Sequence, residues 1–462
     1  MRKSSLSRFG VAYFGLVAVG LLVAAALGLA LAWDGSWLLF SSLDRGAPHV
    51  FFLRLVELPL ELPAIAVAAL TQNVRVIGFA YGLAYFALPL VALLAAWWVV
   101  GKENRRLFVW AALGVGLVAL PAQVFAVSEI VIAVQLTWPL LLAVASGSVA
   151  RHWLLVAAIG LFVAFTAPVA AGLLLGLAVL AGALALFGRQ GSADLRPSAL
   201  FGALAIVAVV ASLASGDIAA HGSEVSVDIL ASRFQTSLLG WPVVSLVATY
   251  AVGLLLVGAT IVRHHSSPLE DRLEVAAVIA TAVAGAALVP WAADVHAWWK
   301  ALDARTLLPF IAAPLMGLAL VDARIEAPFT TVTPTTDAPP AGARIGMREW
   351  IALEQAAAML VVLVGVALGW SGLTTRLAAD MAAAPPGCVD RTSMPWVHGT
   401  ALDHWSVTAE SVMLSGRRPT RIVLPVCAVS FTNGVPITPW GVRRYRGGWF
   451  DLSVLHRALI AG

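Results

Sequence analysis

The chain has 462 residues, of which 60% are hydrophobic and 12% charged, against about 25% charged residues in an ordinary soluble domain. That balance excludes a water-soluble globule. The formal net charge of +4 sits mostly in short hydrophilic breaks between apolar runs, the distribution that sets membrane topology; it is not gathered on one basic surface, so no nucleic-acid partner is expected.

Apolar stretches of roughly 18 to 24 residues recur along the first four-fifths of the chain, each near the length of a helix that crosses a hydrocarbon layer about 30 Å thick. Helices are the natural reading because each backbone donor finds a partner within its own segment. The period-two alternation of a membrane β-barrel is not seen. The pattern predicts about eleven spans, at 9–33, 76–100, 107–121, 129–148, 153–165, 168–187, 199–215, 241–262, 273–291, 306–321 and 350–370. Met1-Arg2-Lys3 before the first run and Ala30-Leu31-Ala32 after it resemble a cleaved secretory signal. The run exceeds the roughly 7 to 15 residues of a signal core, so a retained span is expected. The fifth and sixth runs are separated only by Thr166-Ala167-Pro168, and form either two spans or one kinked helix with a re-entrant piece.

With the N-terminus inside, the cytoplasmic breaks at 101–106, 151–152, 189–196, 263–272 and 322–348 all carry Lys or Arg, whereas those around Phe125 and Thr166 carry none. The positive-inside rule favours this orientation. The expected architecture is an all-α polytopic membrane domain over 1–370, in a bacterial-type cytoplasmic (inner) membrane, followed by a small extracytoplasmic domain over 371–462, α/β or mostly β. In that tail, Arg421 to Val426 reads as a strand, Asn433-Gly434 as a turn, and Trp396, Trp405, Trp440 and Trp449 as anchors of a small core. Both cysteines of the chain, Cys388 and Cys427, lie there and are placed to form one bridge in an oxidising compartment. Two buried thiols are the alternative in a reducing one.

The first outer loop, 34–75, is too long to be a simple turn. Asp34, Asp44, His49, Arg54, Glu57, Glu61 and Arg75 stand there among apolar residues, a mixture that suits helices lying along the membrane surface, with Pro59 and Pro63 as breaks. Glu129 sits where the third and fourth spans meet the outer surface. It faces the same aqueous mouth, or it simply occupies a helix first turn capped by Ser128. In the loop 294–305, Trp298 and Trp299 accompany Lys300 and Arg305; these cations suit a phosphate or pyrophosphate group, and interfacial anchoring is the plain alternative. Phosphate-binding Gly-rich loops ending in Lys-Ser/Thr, His-Glu-x-x-His, paired Cys-x-x-Cys and a nucleophile elbow are all absent from the sequence.

A long first outer loop with surface helices and acids, eleven to thirteen spans, an acidic junction between the third and fourth spans and an exported C-terminal domain together resemble the GT-C glycosyltransferases, polytopic enzymes that use polyprenyl-phosphate-linked sugars. The resemblance implies transfer of a sugar from such a lipid-linked donor to an extracytoplasmic glycan, lipid or protein acceptor. It also implies an acid of the first outer loop as catalytic base or metal ligand, which here matches Asp44 in Leu43-Asp44-Arg45-Gly46, and Asp34 second. Where the family often has two adjacent acids, this chain has Asp44-Arg45, and a divalent cation is left open. By the same resemblance Glu129 orients the acceptor or a cation, while Lys300 and Arg305, with Arg54 and His49, bind the donor. A non-catalytic subunit of a membrane or envelope complex, working with a partner subunit, and a lipid-linked substrate transporter are the competing classes. The span interiors are almost free of charge and carry no evident repeat, which weakens the transporter reading.

Overall fold

The computed structural model describes residues 3–32, 34–50, 53–102, 104–116, 128–187, 194–216, scattered positions within 312–323, 347–398, 400, 402, 407–424, 431–432, 435–436 and 449–450. The eighth and ninth expected spans, most of the tenth, the loop with Lys300 and Arg305, and Cys427 lie outside the described residues.

The described chain is mostly helical. In order, the helices are α1 (Lys3–Ala26), α2 (Asp34–Arg45), α3 (Glu57–Ala68), α4 (Val74–Val100), α5 (Phe108–Gly114), α6 (Glu129–Ala145), α7 (Trp153–Ala164), α8 (Val169–Phe187), α9 (Arg196–Ala214), α10 (Met347–Ala383) and α11 (Val407–Ser415). Among the described residues five helical stretches are long and apolar enough to cross a membrane: Phe9–Ala26, Val74–Val100, Val169–Leu186, Arg196–Ala214 and Ala352–Ala383. They are compatible with a multi-pass membrane protein. Two shorter apolar helices, α6 and α7, stand among them.

α1 packs between α4 and α10, α4 packs on α6, α6 on α7 and α8, and α8 on α9. Small residues let the backbones come close, as is usual where helix association rests on van der Waals packing. A Cβ on Gly82 of α4 would stand 3.3 Å from the Ala25 Cα of α1, and one on Gly20 would strike Leu360 of α10. Polar ties reinforce the seams: Tyr13 Oη donates to the Ala112 carbonyl at 2.6 Å, and Ser198 Oγ to the Ala178 carbonyl at 2.8 Å.

Local sequence chemistry sets the element ends. Asn73 caps α4, its Oδ1 accepting from the Arg75 and Val76 amides at 3.0 and 3.4 Å, which satisfies donors that the first turn leaves without a partner. Thr166-Ala167-Pro168 separates α7 from α8, so the shared apolar run becomes two helices. α10 does not end near Trp370 but continues to Ala383. A helix of its 37 residues is about 55 Å long at 1.5 Å per residue, more than a bilayer core requires.

Beyond α10, β1 (Gly387–Asp390) and β2 (Arg421–Leu424) pair in parallel with Cys388 opposite Ile422, connected through α11. The expected strand at Arg421 is therefore present. Parallel pairing requires such a crossover, and this part of the tail is α/β. A second pair, β3 (Phe431–Thr432) with β4 (Val435–Pro436), is antiparallel with Thr432 opposite Val435; the expected turn residues Asn433 and Gly434 lie outside the described residues. α11 is packed against β2 on one side and against α2 on the other.

Pro59 and Pro63 do not break the helix of the first loop; both lie inside α3. Pro59 is its third residue, where the amide would have no partner within the helix anyway, so its missing N–H removes nothing.

Candidate functional site

α2 packs on α3 and α3 on α4, and Arg54, shortly before α3, reaches the first residue of α6. Glu57 and Glu61 are four residues apart on α3 and therefore share a face; that face points inward, leaving the two residues 1% and 0% exposed. Opposite them on α4, Tyr81 and Tyr85 repeat the same spacing, and both rings are buried. Tyr81 stands within electrostatic reach of Glu57, Glu61, Tyr85 and Glu129. Among the described residues, the Tyr81 hydroxyl and Glu61 Oε1 have no hydrogen-bond partner.

Glu61 closes the segment onto the hairpin. Its Oε2 accepts the backbone N–H of His49, and Ser42 and Arg45 of α2 act on the same carboxyl group. Burial outweighs these stabilising partners and pushes the Glu61 pKa up to about 7, since a dry carboxylate loses its hydration. His49 is itself buried, its ring edge-on to Trp37 at 5.0 Å. Further along the segment, Leu53 adopts φ +58°, the left-handed region that side chains avoid, and the next residue, Arg54, is thereby turned toward α6. Its Nη1 lies 2.9 Å from Glu129 Oε1, with both side chains mostly shielded from solvent.

The residues singled out from sequence are thus distributed unevenly. His49, Arg54 and Glu129 come together with Glu57 and Glu61. Asp44, in the last turn of α2, is half-buried, and so is Asp34 in its first turn, where an acid is favoured by the helix dipole. Ser128 precedes α6 in extended conformation but makes no side-chain capping bond; Glu129 begins the helix and is held by Arg54. Lys300 and Arg305 lie outside the described residues. Cys388 is half-buried on β1, and among the described residues no cysteine is free. Glu57 and Glu61 are the additions to the site. The signal for them is two acids at helical spacing in an otherwise apolar stretch, matched by Tyr81 and Tyr85 at the same spacing.

Among the described residues no group of three or more His, Cys, Asp or Glu side chains is placed to hold a metal ion. Asp44 adjoins Arg45 in sequence rather than a second acid.

The C-terminal unit reaches the same hairpin. Phe450 packs on Phe40 of α2 with ring centroids 5.1 Å apart, Trp449 Nε1 donates to the Ala68 carbonyl at the end of α3 at 3.2 Å, and Arg417 Nε donates to the Trp449 carbonyl at 3.1 Å. Compared with known protein families, curated proteins and solved structures, the chain matches none.

Proposed function

We propose that this chain is an integral-membrane glycosyltransferase of the GT-C type, with about eleven spans and the face carrying α2 and α3 turned away from the cytoplasm. It transfers a sugar from a polyprenyl-phosphate-linked donor to an extracytoplasmic acceptor. The observation that carries this reading is the 2.9 Å pair between Arg54 of the first loop and Glu129 at the start of α6. It brings together, at one end of the bundle, the two polar regions whose combination underlies the resemblance.

In the reaction, the acceptor hydroxyl attacks the anomeric carbon from the side opposite the lipid phosphate. The carbon–oxygen bond to that phosphate breaks, the electron pair leaves with it, and the hydroxyl proton passes to a carboxylate base. Asp44 is the acid suited to that step, since it is half-exposed on the end of α2, whereas Glu57 and Glu61 are enclosed and serve to hold the hairpin. Lys300 and Arg305, with Arg54, stabilise the charge that grows on the phosphate. The tail follows the α10 span to the extracytoplasmic side, with Cys388 and Cys427 bridged.

The test is sugar transfer by the purified protein in lipid vesicles, supplied with radiolabelled polyprenyl-phosphate sugars and a crude envelope acceptor fraction. Asp44→Asn should lower turnover by at least about 100-fold, the usual lower bound for losing a general base, while leaving the fold intact. A folded wild-type protein with no transfer from any donor would instead favour a non-catalytic subunit. Reporter fusions at Gly462 test the topology separately, and a cytoplasmic tail would overturn both the orientation and the bridge.

A further inference from the structure

α3 is inverted relative to a helix of a water-soluble protein. Its inward residues are Glu57, Leu60, Glu61 and Ala64, all buried, and its outward residues are Pro59, Leu62, Pro63 and Ala66, all exposed and none polar. Both sets follow the i, i+3, i+4, i+7 spacing of a helix face. An amphipathic helix lying between protein and water has the opposite arrangement, with its charges outward. The outward stripe continues to Leu70, 88% exposed, past the end of the helix, and Leu62 is 50% exposed.

The neighbours of α3 indicate what meets this stripe. α3 is packed against α4 and joined to it by the short link 69–73, so the two run as a hairpin. α4 is long and apolar enough to cross a membrane, and its own outward residues Leu83, Val91 and Leu94 are exposed apolar side chains as well. The polar boundary of the hairpin is Thr71-Gln72-Asn73, where Asn73 caps α4. From Asn73 to Tyr81 and Tyr85, the helix advances about 12 and 18 Å at 1.5 Å per residue. Tyr81, within electrostatic reach of Glu61 and Glu57, and Tyr85 are therefore well below that boundary, at the depth of the apolar part of α4. A helix of 12 residues spans only about 18 Å and cannot cross on its own.

The geometry points to α3 as a re-entrant helix whose outward face, Pro59, Leu62, Pro63 and Ala66, is in contact with lipid acyl chains, while its two acids are turned into the protein seam. The partner is the bilayer itself, not water, a second copy of the chain or a soluble protein. This reading differs from the expectation of helices lying along the membrane surface, and it holds whether or not the chain transfers a sugar. It also explains the inversion: in lipid, exposed leucine and proline lose nothing, whereas an outward carboxylate would be strongly disfavoured.

Covalent footprinting of the wild-type full chain in phosphatidylethanolamine/phosphatidylglycerol nanodiscs tests this directly. One sample is labelled with a lipid-soluble carbene precursor and another with hydroxyl radicals generated in water. After denaturation and tryptic cleavage at Arg54 and Arg75, the peptide 55–75 reports α3, and the following peptide reports α4 as the internal reference. Carbene modification of Leu62 and Ala66 at a level comparable to Leu83 and Val91, with several-fold less radical oxidation at those sites than in the extramembrane tail, is the expected result. Radical oxidation of Leu62 and Ala66 at the level of that tail would place the face in water and overturn the inference. Protection from both reagents would mean that protein covers the face, and overturns it equally.

Discussion

Arg54 Nη1 and Glu129 Oε1 stand 2.9 Å apart, and this contact fastens the first outer loop to the first turn of α6 across 75 residues of sequence. Each side chain is less than one-fifth exposed, so the pair is shielded enough for its loss to be felt, yet not so buried that desolvation cancels its attraction. Arg54→Ala or Glu129→Ala leaves one charge without its partner and should lower stability by about 1–3 kcal/mol. A double-mutant cycle, followed by thermal unfolding in detergent, should return a favourable coupling on the order of 1 kcal/mol. Additive single effects would show that the contact contributes nothing to stability.

Glu61 gives the hairpin a pH dependence. Its folded-state pKa of about 7 stands above the ordinary 4.5 because burial disfavours the charge. The folded protein therefore holds this proton more tightly than the unfolded chain, and stability must fall as pH rises. The contribution is fullest below pH 4.5, declines between 4.5 and 7, and is level above that. Glu61→Gln, which keeps the shape of the protonated acid, should raise the melting temperature at pH 8 relative to wild type and have little effect at pH 4. Parallel pH profiles for the two proteins would assign the dependence to other groups.

Much of this arrangement was legible in the sequence, and the parts that were not have physical reasons. Long apolar runs announce helices because nothing else satisfies the backbone in lipid, and α1, α4, α8, α9 and α10 stand where the runs are. The break at Thr166-Ala167-Pro168, the strand at Arg421 and the polar first loop were also readable. Pro59 misled because the effect of a proline depends on position: it falls in the first turn, where a missing N–H is harmless; Pro63 stands in the helix interior without ending it. The inversion of α3 was hidden because a mixed apolar and acidic helix has the same periodicity whichever face meets the protein. His49 could not be connected with Glu61 at all, since that contact arises from a backbone amide and carries no side-chain signature.

Gly114 tests the packing of α5 against α6. A Cβ at this position would lie 2.0 Å from Trp138 ring carbons, and Trp138 is fully buried, so the indole has little room to give. Gly114→Ala should destabilise the protein by at least about 1–3 kcal/mol, the usual penalty for overpacking a filled core. Gly172→Ala on α8, where an added Cβ meets nothing within 4 Å, is the control and should be neutral or slightly stabilising, because alanine favours the helix. Equal thermal stability of the two variants would mean that α5 and α6 are not packed this closely.

The contact of α11 with α2 carries a pH dependence of the same sign. Glu410 lies in the first turn of α11, 2% exposed, where Ser36 of α2 donates a hydrogen bond to its carboxylate and burial nonetheless pushes its pKa up to about 8. Because the docked state holds the proton, docking should weaken as pH rises from about 4.5 and reach its lower level just above pH 8. Limited proteolysis of the full chain in nanodiscs can follow this, since release of α11 from α2 also frees the Trp449–Phe450 contacts with Ala68 and Phe40 and releases Arg417 from the Trp449 carbonyl to which it donates, opening it to trypsin. Wild-type protein should be cleaved several-fold faster at pH 9 than at pH 6 after correction for the protease's own pH dependence, and Glu410→Gln should remove the difference by keeping the side chain neutral. Ser36→Ala removes the one hydrogen bond that favours the ionised form and should make the wild-type difference larger, an effect in the opposite direction that a general loss of stability would not produce selectively at high pH.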